Sequence, residues 1–303
     1  MTKIEYNGNM RNIQVEYLSK NGIRFHHSIS QYPSDTIDFQ RAESHYMFEL
    51  FLLLSGSVTY NIEGKFYAVN PMEMIIIPPN ELHSIKIDAS KPYERMVLHF
   101  APDLMPSFND LDILAPFNTA KNTFAHIIPR NFLEHSNLLN LMYKCKEHCK
   151  ERSKYIDLRL ARTILQIMEA LNEIISQLVS SDNQLSEPIN IKTLSAACIQ
   201  YVNANLTGDT DLCTIANALN VSTSHLQFAF KKEIGITLHK YITNQKMQLA
   251  RKLLMRGQSA QSVARELGYE YYSTFYNNYK KLFGIIPTSL TEIQRKHWEN
   301  IDV

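Results

Sequence analysis

Ile215-Ala216-Asn217-Ala218-Leu219-Asn220 returns later in the chain as Val263-Ala264-Arg265-Glu266-Leu267-Gly268. Phe230-Lys231-Lys232-Glu233-Ile234-Gly235 likewise returns as Tyr279-Lys280-Lys281-Leu282-Phe283-Gly284. The spacing is 48 residues for the first pair and 49 for the second, so the copies differ by one residue. Internal repetition of this kind takes precedence over other assignments. Each copy predicts helix, tight turn, helix. Leu212, Ile215, Ala216 and Leu219 have the spacing of a short amphipathic helix, which Asn220 can end in the left-handed region. Gly268 ends the second copy more easily because it has no Cβ. Ala216 and Ala264 are small enough for two helices to cross closely. A second helix starts near Ser222, a good N-cap, and buries Leu226 and Phe230; its counterpart starts near Glu270 and buries Phe275, Tyr279 and Phe283. This is the helix-turn-helix pattern, whose second helix lies in the major groove of DNA.

Between the copies, Thr237 to Arg256 predicts a third amphipathic helix carrying Leu238, Tyr241, Ile242, Met247, Leu249, Ala250, Leu253 and Leu254. Some twenty helical residues span roughly 30 Å, close to the roughly 34 Å between successive major grooves on one face of B-DNA. One chain can therefore offer two recognition helices to adjacent grooves. From about residue 193 to 296 the chain resembles the AraC/XylS-type transcription regulators. Their DNA-binding domain joins two helix-turn-helix units by a long helix, with a Phe-Lys-Lys-x-x-Gly phrase after each recognition helix. Phe230 to Gly235 fits that phrase, Tyr279 to Gly284 fits with Tyr for Phe, and Pro287 falls where the closing Gly-x-x-Pro expects it. Phe228 and Asn277 stand where the family often carries Arg, and the Arg that commonly follows the closing Pro segment is absent.

At 303 residues, two domains are the natural expectation. Hydrophobic residues make up 45% and charged residues 20%, as in ordinary soluble proteins. Met1-Thr2-Lys3-Ile4-Glu5-Tyr6 does not read as a signal peptide, and no apolar run approaches the roughly 18 residues of a membrane span, so a cytoplasmic location is expected. The four cysteines are too few for a disulfide framework and are expected as thiols. The net charge of +1 conceals a bias: residues 193–303 carry +4 and residues 1–192 carry −3. Both lysine pairs follow a recognition helix, where they can reach phosphates.

Residues 10 to about 100 read as β, with runs at 15–18, 46–54, 58–62, 65–69, 74–77 and 95–100 bounded by Gly56, Glu63-Gly64, Asn70-Pro71 and Pro78-Pro79-Asn80. Many short strands at such spacing predict a barrel or sandwich. This part resembles the jelly-roll (cupin) sensing domain of many AraC/XylS regulators. His45-x3-Glu49-x6-Gly56 matches the later part of the first cupin motif and Pro78-x-Asn80-x2-His83 part of the second, with two of its usual glycines replaced by Met72 and Asn80. In enzymatic cupins the residues matching His45, Glu49 and His83 bind a metal, a set suited to Zn, Mn or Fe. The position two before His45, where a further imidazole is usual, is Glu43. The other reading is a cavity for an organic ligand, lined by His45, Glu49, Tyr60, His83 and His99. That second reading, with no metal and no cofactor, is the expectation.

From Asn131 to Val179 the period becomes helical. Ile156, Leu160, Ile164, Ile167, Met168, Leu171, Ile174, Ile175 and Leu178 form a stripe broad enough to predict packing on the barrel plus a dimer interface. Cys145-x2-His148-Cys149 is half of a metal motif without its second half, and is expected as a helix face with two buried thiols. Ser180 to Pro188 is polar, Ser-rich and closed by Pro, as a linker is.

The expected fold class is α+β in two domains. A cupin-like ligand-sensing barrel occupies residues 1–130, a helical dimerisation or packing segment 131–180, a linker 181–192, and an all-α DNA-binding domain 193–303 with helix-turn-helix units at 212–233 and 260–283. Ser224, His225, Gln227 and Phe228 leave the buried face of the first recognition helix, and Tyr272, Ser273, Tyr276 and Asn277 that of the second. Gln and Asn are suited to adenine, and Phe to a thymine methyl. Lys231, Lys232, Lys280 and Lys281 are the expected phosphate contacts. The expected function is a sequence-specific DNA-binding regulator, not an enzyme. Its expected partners are double-stranded DNA, a second copy, RNA polymerase and a small-molecule effector, with no membrane. A metal-dependent cupin enzyme, and a regulator controlled by a protein partner, are the alternatives.

Overall fold

The β-branched and aromatic runs become strands in a computed structural model that describes residues 12–30, 42–106, 111–123, 125–151, 153–180, 193–208, 210–283 and 285–288. In order they are β1 (Asn12–Leu18), β2 (Ile23–Ser30), β3 (Phe48–Ser55), β4 (Val58–Ile62), β5 (Lys65–Val69), β6 (Glu73–Ile77), β7 (His83–Ile87), β8 (Tyr93–Phe100) and β9 (Ile127–Ile128). Among the described residues they form an antiparallel six-stranded sheet, β1-β2-β8-β3-β6-β9, and a three-stranded sheet, β5-β4-β7. The barrel expected from strand spacing is thus corrected to an open two-sheet arrangement. The strands of the small sheet pair among themselves, and outside the named strands Glu43 bridges to His83.

Period-two alternation decides what each face of the large sheet meets. Phe51, Leu53, Ile75, Ile77, Tyr93 and Val97 turn toward the small sheet and pack with its Val58, Tyr60, Ile62, Tyr67, Val69 and Ile87. On the opposite face Phe48 stacks on Phe100 at 5.2 Å between ring centroids and meets Phe117 at 4.4 Å. With both faces covered, β3 is buried without alternation from Phe48 to Leu53, and its residues there are apolar except Glu49.

Phe117 belongs to α1 (Ala115–Thr123), followed by α2 (Arg130–His135), α3 (Leu138–Lys150) and α4 (Ile156–Ser180). The α4 stripe is spent within one chain: each of its nine apolar residues is at most 6% exposed. Helices α3 and α1 cover it, so its breadth gives no ground for a dimer interface. The start of α4 is tied to the large sheet at Asp157, which accepts hydrogen bonds from Tyr17, from Ser19 at 2.7 Å and from Asn21 at 2.6 Å. Cys145 and Cys149 are buried in α3, and burial pushes the Cys145 thiol up to about 12.

Met72 and Asn80, which replace two glycines of the cupin pattern, both keep left-handed backbone, with φ of 67° and 72°. The turn geometry is retained without the residue that makes it cheap.

The chain divides into two compact units, residues 1–190 and 191–303. The expected linker at 181–192 lies outside the described residues. The second unit is helical: α5 (Leu194–Ala204), α6 (Leu212–Ala218), α7 (Thr223–Ile234), α8 (Leu238–Met255), α9 (Ala260–Glu266) and α10 (Tyr272–Phe283). Its duplication extends to individual hydrogen bonds. The amide of Val221 donates to the Ala216 carbonyl at 3.0 Å, and that of Tyr269 to the Ala264 carbonyl at 2.9 Å. Between them Asn220 and Gly268 sit at φ 55° and 76°. Ala216 and Ala264 are buried at the crossings. Ser222 caps α7 by accepting from the His225 amide at 3.2 Å, and Gly235 ends that helix at φ 81°. Helix α8 begins at its Thr237 cap and supplies Met247, Ala250, Leu253 and Leu254 to a core shared with Val263, Leu267, Phe275 and Tyr279. Its eighteen residues make a rod of roughly 27 Å. Among the described residues, no helix is long and apolar enough to cross a membrane.

Candidate functional site

In the first unit, five polar side chains meet at one end of the core between the sheets. Glu49 on β3 lies directly across the ladder from His99 on β8. His83 opens β7 opposite Ile62 of β4, and Tyr60 is two residues earlier on that strand, so both face the same interior. His45 sits before β3, in a segment held by backbone hydrogen bonds. Glu43 and His83 exchange amide and carbonyl at 2.9 Å each way, and the Asn80 amide donates to the His45 carbonyl at 2.8 Å. The left-handed turn at Asn80 thus anchors the same short segment that carries His45.

Three imidazoles converge on one carboxylate oxygen. The Nε2 atoms of His45, His83 and His99 lie 3.1, 3.2 and 3.2 Å from Glu49 Oε2, while Tyr60 donates to Oε1 at 3.3 Å. Glu49 and His83 are 5% and 3% exposed, against 24% for His45 and 14% for His99. Burial alone would raise the pKa of Glu49. The facing His83, with hydrogen bonds from His45, His83 and His99, instead holds it well below the usual carboxylate range. Burial likewise opposes protonation of His83, but Glu49 outweighs it and raises that imidazole to about 9. Burial and the Glu49 charge push the Tyr60 phenol well up.

All five residues expected to line a ligand cavity are therefore brought together. One ligand atom each from His45, Glu49 and His83 can be chosen so that all lie within 4.8 Å of one another. Glu43, at the position of the usual further imidazole, is 71% exposed with its carboxylate 3.9 Å from His83 Nε2; His99 takes the inner place. Sequence reasoning missed the groups behind the cluster. The Met47 carbonyl accepts from His45 Nδ1 at 3.1 Å, and the Glu81 carbonyl from His83 Nδ1 at 2.8 Å. Glu81 also reaches toward buried His126, at 3.6 Å. No motif marks backbone carbonyls, and His126 lies far off in sequence.

In the second unit, α7 and α10 each bury one face and expose another. Leu226, Phe230, Phe275 and Tyr279 are fully buried. Ser224, His225, Gln227 and Phe228 are exposed, as are Tyr272, Ser273 and Asn277, while Tyr276 is half-buried beside Tyr272. Lys231, Lys232, Lys280 and Lys281 are exposed in the last turns of the two helices. Phe228 and Tyr271 stand out, at 68% and 62% exposed, because aromatic rings are seldom left in water without a partner. Tyr271 was missed because it precedes the helix; the run Tyr269 to Tyr272 around an acidic residue was its signal.

A β unit with a polar binding cluster, on the same chain as two matched helix-turn-helix motifs, defines a DNA-binding regulator with its own ligand-binding domain. Residues 31–194 match the family described as the AraC-like ligand binding domain, and residues 215–292 match the helix-turn-helix domain family. The chain belongs to the AraC family of transcription regulators. It is 22% identical over 256 residues to the probable transcriptional regulator LumQ of Photobacterium leiognathi, covering 84% of this chain and 93% of LumQ. Similarity to XylDLEGF operon transcriptional activator 1 of Pseudomonas putida is 20% over 259 residues, 83% of this chain and 74% of that protein. Among solved structures, ToxT from Vibrio cholerae O395 aligns with a TM-score of 0.35 at 11% identity, over 94% of this chain and all of ToxT.

Proposed function

We propose that the chain is a sequence-specific regulator, an activator like its Pseudomonas relative, that reads DNA with the exposed faces of α7 and α10 and senses a small molecule in its first unit. The observation that carries the reading is the paired surface. Two helices with matched buried faces leave Ser224, His225, Gln227 and Phe228 on one and Tyr272, Ser273 and Asn277 on the other unburied, with Ser224 and Phe228 at the places of Ser273 and Asn277, and each run is followed by two lysines. Gln227 and Asn277 offer the amide groups that pair with adenine N6 and N7, and Phe228 an apolar edge for a thymine methyl. Lys231, Lys232, Lys280 and Lys281 supply phosphate contacts that set the register.

The finer expectations belong to the same proposal: a cytoplasmic protein that contacts RNA polymerase and acts as a homodimer rather than as an enzyme. Leu18, Tyr155 and Leu158, exposed beside the Tyr17–Asp157 link, support self-association in place of the α4 stripe. The test is selection of bound sequences from a random DNA pool by the full-length protein. An enriched site with two conserved blocks spaced by about one helical turn supports the proposal. Retention of the pool with no enriched sequence refutes it.

A further inference from the structure

Helices of the second unit start on a side chain that can cap them. Thr193, Asp211, Ser222, Thr237 and Ser259, ahead of α5, α6, α7, α8 and α9, each accept from an amide of the first turn. The residue ahead of α10 is Tyr271, at the place that Ser222 holds 49 residues earlier. Its phenol oxygen lies at the far end of a ring and cannot turn back to the helix. The amide that corresponds to His225 is that of Thr274, and it donates instead to the Tyr271 carbonyl at 3.1 Å. Losing a capping side chain shifts a helix toward opening severalfold. Packing does not offset this, because the Tyr271 ring is 62% exposed. Its neighbours are engaged: Tyr269 and Tyr272 lie 5.6 and 5.9 Å from Phe275, and Tyr272 meets Tyr276 at 6.3 Å. Tyr271 thus breaks both the capping rule and the burial rule in a duplicated unit whose other copy keeps the cap. Such local conflicts gather at functional positions.

We propose that Tyr271 is a specificity-determining residue for DNA, whose ring meets the C5 methyl group of a thymine at the leading end of the second reading helix. The inference rests on the base reading proposed above and adds to it a residue that lies outside α10. The first residues of a recognition helix are the ones that approach base edges. Exposed Tyr272 and Ser273 follow Tyr271 directly. Thymine is the one base that shows a methyl group in the major groove, and apolar side chains recognise it. Bringing ring and methyl together removes from water apolar surface that each leaves exposed alone. Neither α7 nor α10 contains arginine, the usual reader of guanine, so methyl and adenine contacts carry the sequence. Helix α7 places its exposed ring elsewhere. Phe228 lies six residues beyond Ser222, whereas Tyr271 occupies the place of Ser222 itself. The two helices are therefore not interchangeable, and the two blocks of the site call for thymine at different positions.

The test uses the full-length protein and the sequence it enriches from the random pool. Tyr271→Ser gives α10 the cap of its sister helix. Amide exchange in the first turn of α10 should slow by about fivefold. Affinity for the enriched sequence should fall at least about fivefold, while affinity for unrelated DNA holds. A residue that served the fold alone could not gain stability and lose recognition together. Tyr271→Phe, which keeps the ring, should recover the lost affinity without the slowed exchange. Replacing the thymines of the site one at a time by deoxyuridine removes single methyl groups. At one of them the unsubstituted protein should lose about fourfold and Tyr271→Ser nothing. The proposal is overturned by unchanged affinity in Tyr271→Ser, by an equal loss on unrelated DNA, or by a loss as large in Tyr271→Phe. Exchange that does not slow in Tyr271→Ser, or equal sensitivity of protein and variant to every deoxyuridine, overturns it as well. Asn277→Ala separates the two levels. If it weakens binding to the enriched sequence and Tyr271→Ser does not, base reading stands and this inference falls; if no sequence is enriched at all, base reading falls first.

Discussion

Phe275 and Phe228 occupy sister recognition helices, yet one is fully buried and the other is 68% exposed. Truncating each to alanine separates folding from reading. Phe275 packs in the core of the second copy with Val263, Ala264 and Leu267, and its ring centroid is 5.6, 5.9 and 6.0 Å from those of Tyr269, Tyr272 and Tyr279. A buried ring of about 150 Å², at about 25 cal/mol per Å², contributes roughly 4 kcal/mol. Large aromatic neighbours cannot collapse far into the space left, so Phe275→Ala should cost about 3–5 kcal/mol. Phe228→Ala removes a ring standing mostly in water and should stay within about 0.5 kcal/mol. Hydrogen exchange by mass spectrometry reads this locally. At 1.4 kcal/mol per decade, protection of α9 and α10 amides should fall by about a thousandfold in Phe275→Ala. In Phe228→Ala protection should hold while DNA binding weakens. Equal losses of protection in the two variants, or a loss of less than about tenfold in Phe275→Ala, would refute the assignment of buried and reading faces.

Other substitutions test separate parts of the account. Replacing any one of Lys231, Lys232, Lys280 or Lys281 by alanine should reduce the slope of log K against log salt by about 0.9 and weaken all DNA sequences alike; an unchanged slope removes that lysine from the phosphate set. Gly268→Ala should cost about 1–2 kcal/mol in thermal or urea melts. The added Cβ would meet only Lys246 Nζ, at 3.7 Å, so that cost is the φ of 76° alone; Asn220→Gly, at φ 55°, should be tolerated, and the reverse order would contradict the shared turn. Burial, reinforced by Arg95 and Arg24, lowers the His26 imidazole to about 4. The unfolded chain therefore takes up that proton first. The stability His26 confers is full above its unfolded pKa of about 6.5 and is lost as pH falls toward 4. His26→Gln should flatten the acid limb of stability against pH, and an unaltered limb would remove His26 as its source.

The helical half was legible because its information is local. A turn that needs a left-handed residue, an alanine at a crossing and aromatic rings one turn apart are all written within some twenty residues, twice. The β half was legible where strands bury both faces or alternate cleanly, as in β3, β4 and β5. Strands β2 and β7 escaped because His26-His27 and His83-Ser84 interrupt the apolar pattern, and those polar residues are paid for by partners on distant strands. Sheet closure was misread for a similar reason: strand count and spacing do not say which edges pair. The α4 stripe misled because its breadth came from burial by α1 and α3 together, which looks from one helix like an unmet partner. Of the polar cluster, the membership was foreseen but not the geometry. That Glu49 faces His99 is a matter of β3–β8 register, and no spacing along the chain encodes it.

The central claim is that α7 and α10 read bases rather than merely approach DNA. The direct measurement is the affinity of Gln227→Ala and Asn277→Ala for the selected site and for unrelated DNA at one fixed salt concentration. Each variant should lose about 1–3 kcal/mol on the selected site and nothing on unrelated DNA. An equal loss on both, or none on either, would contradict base reading by these helices.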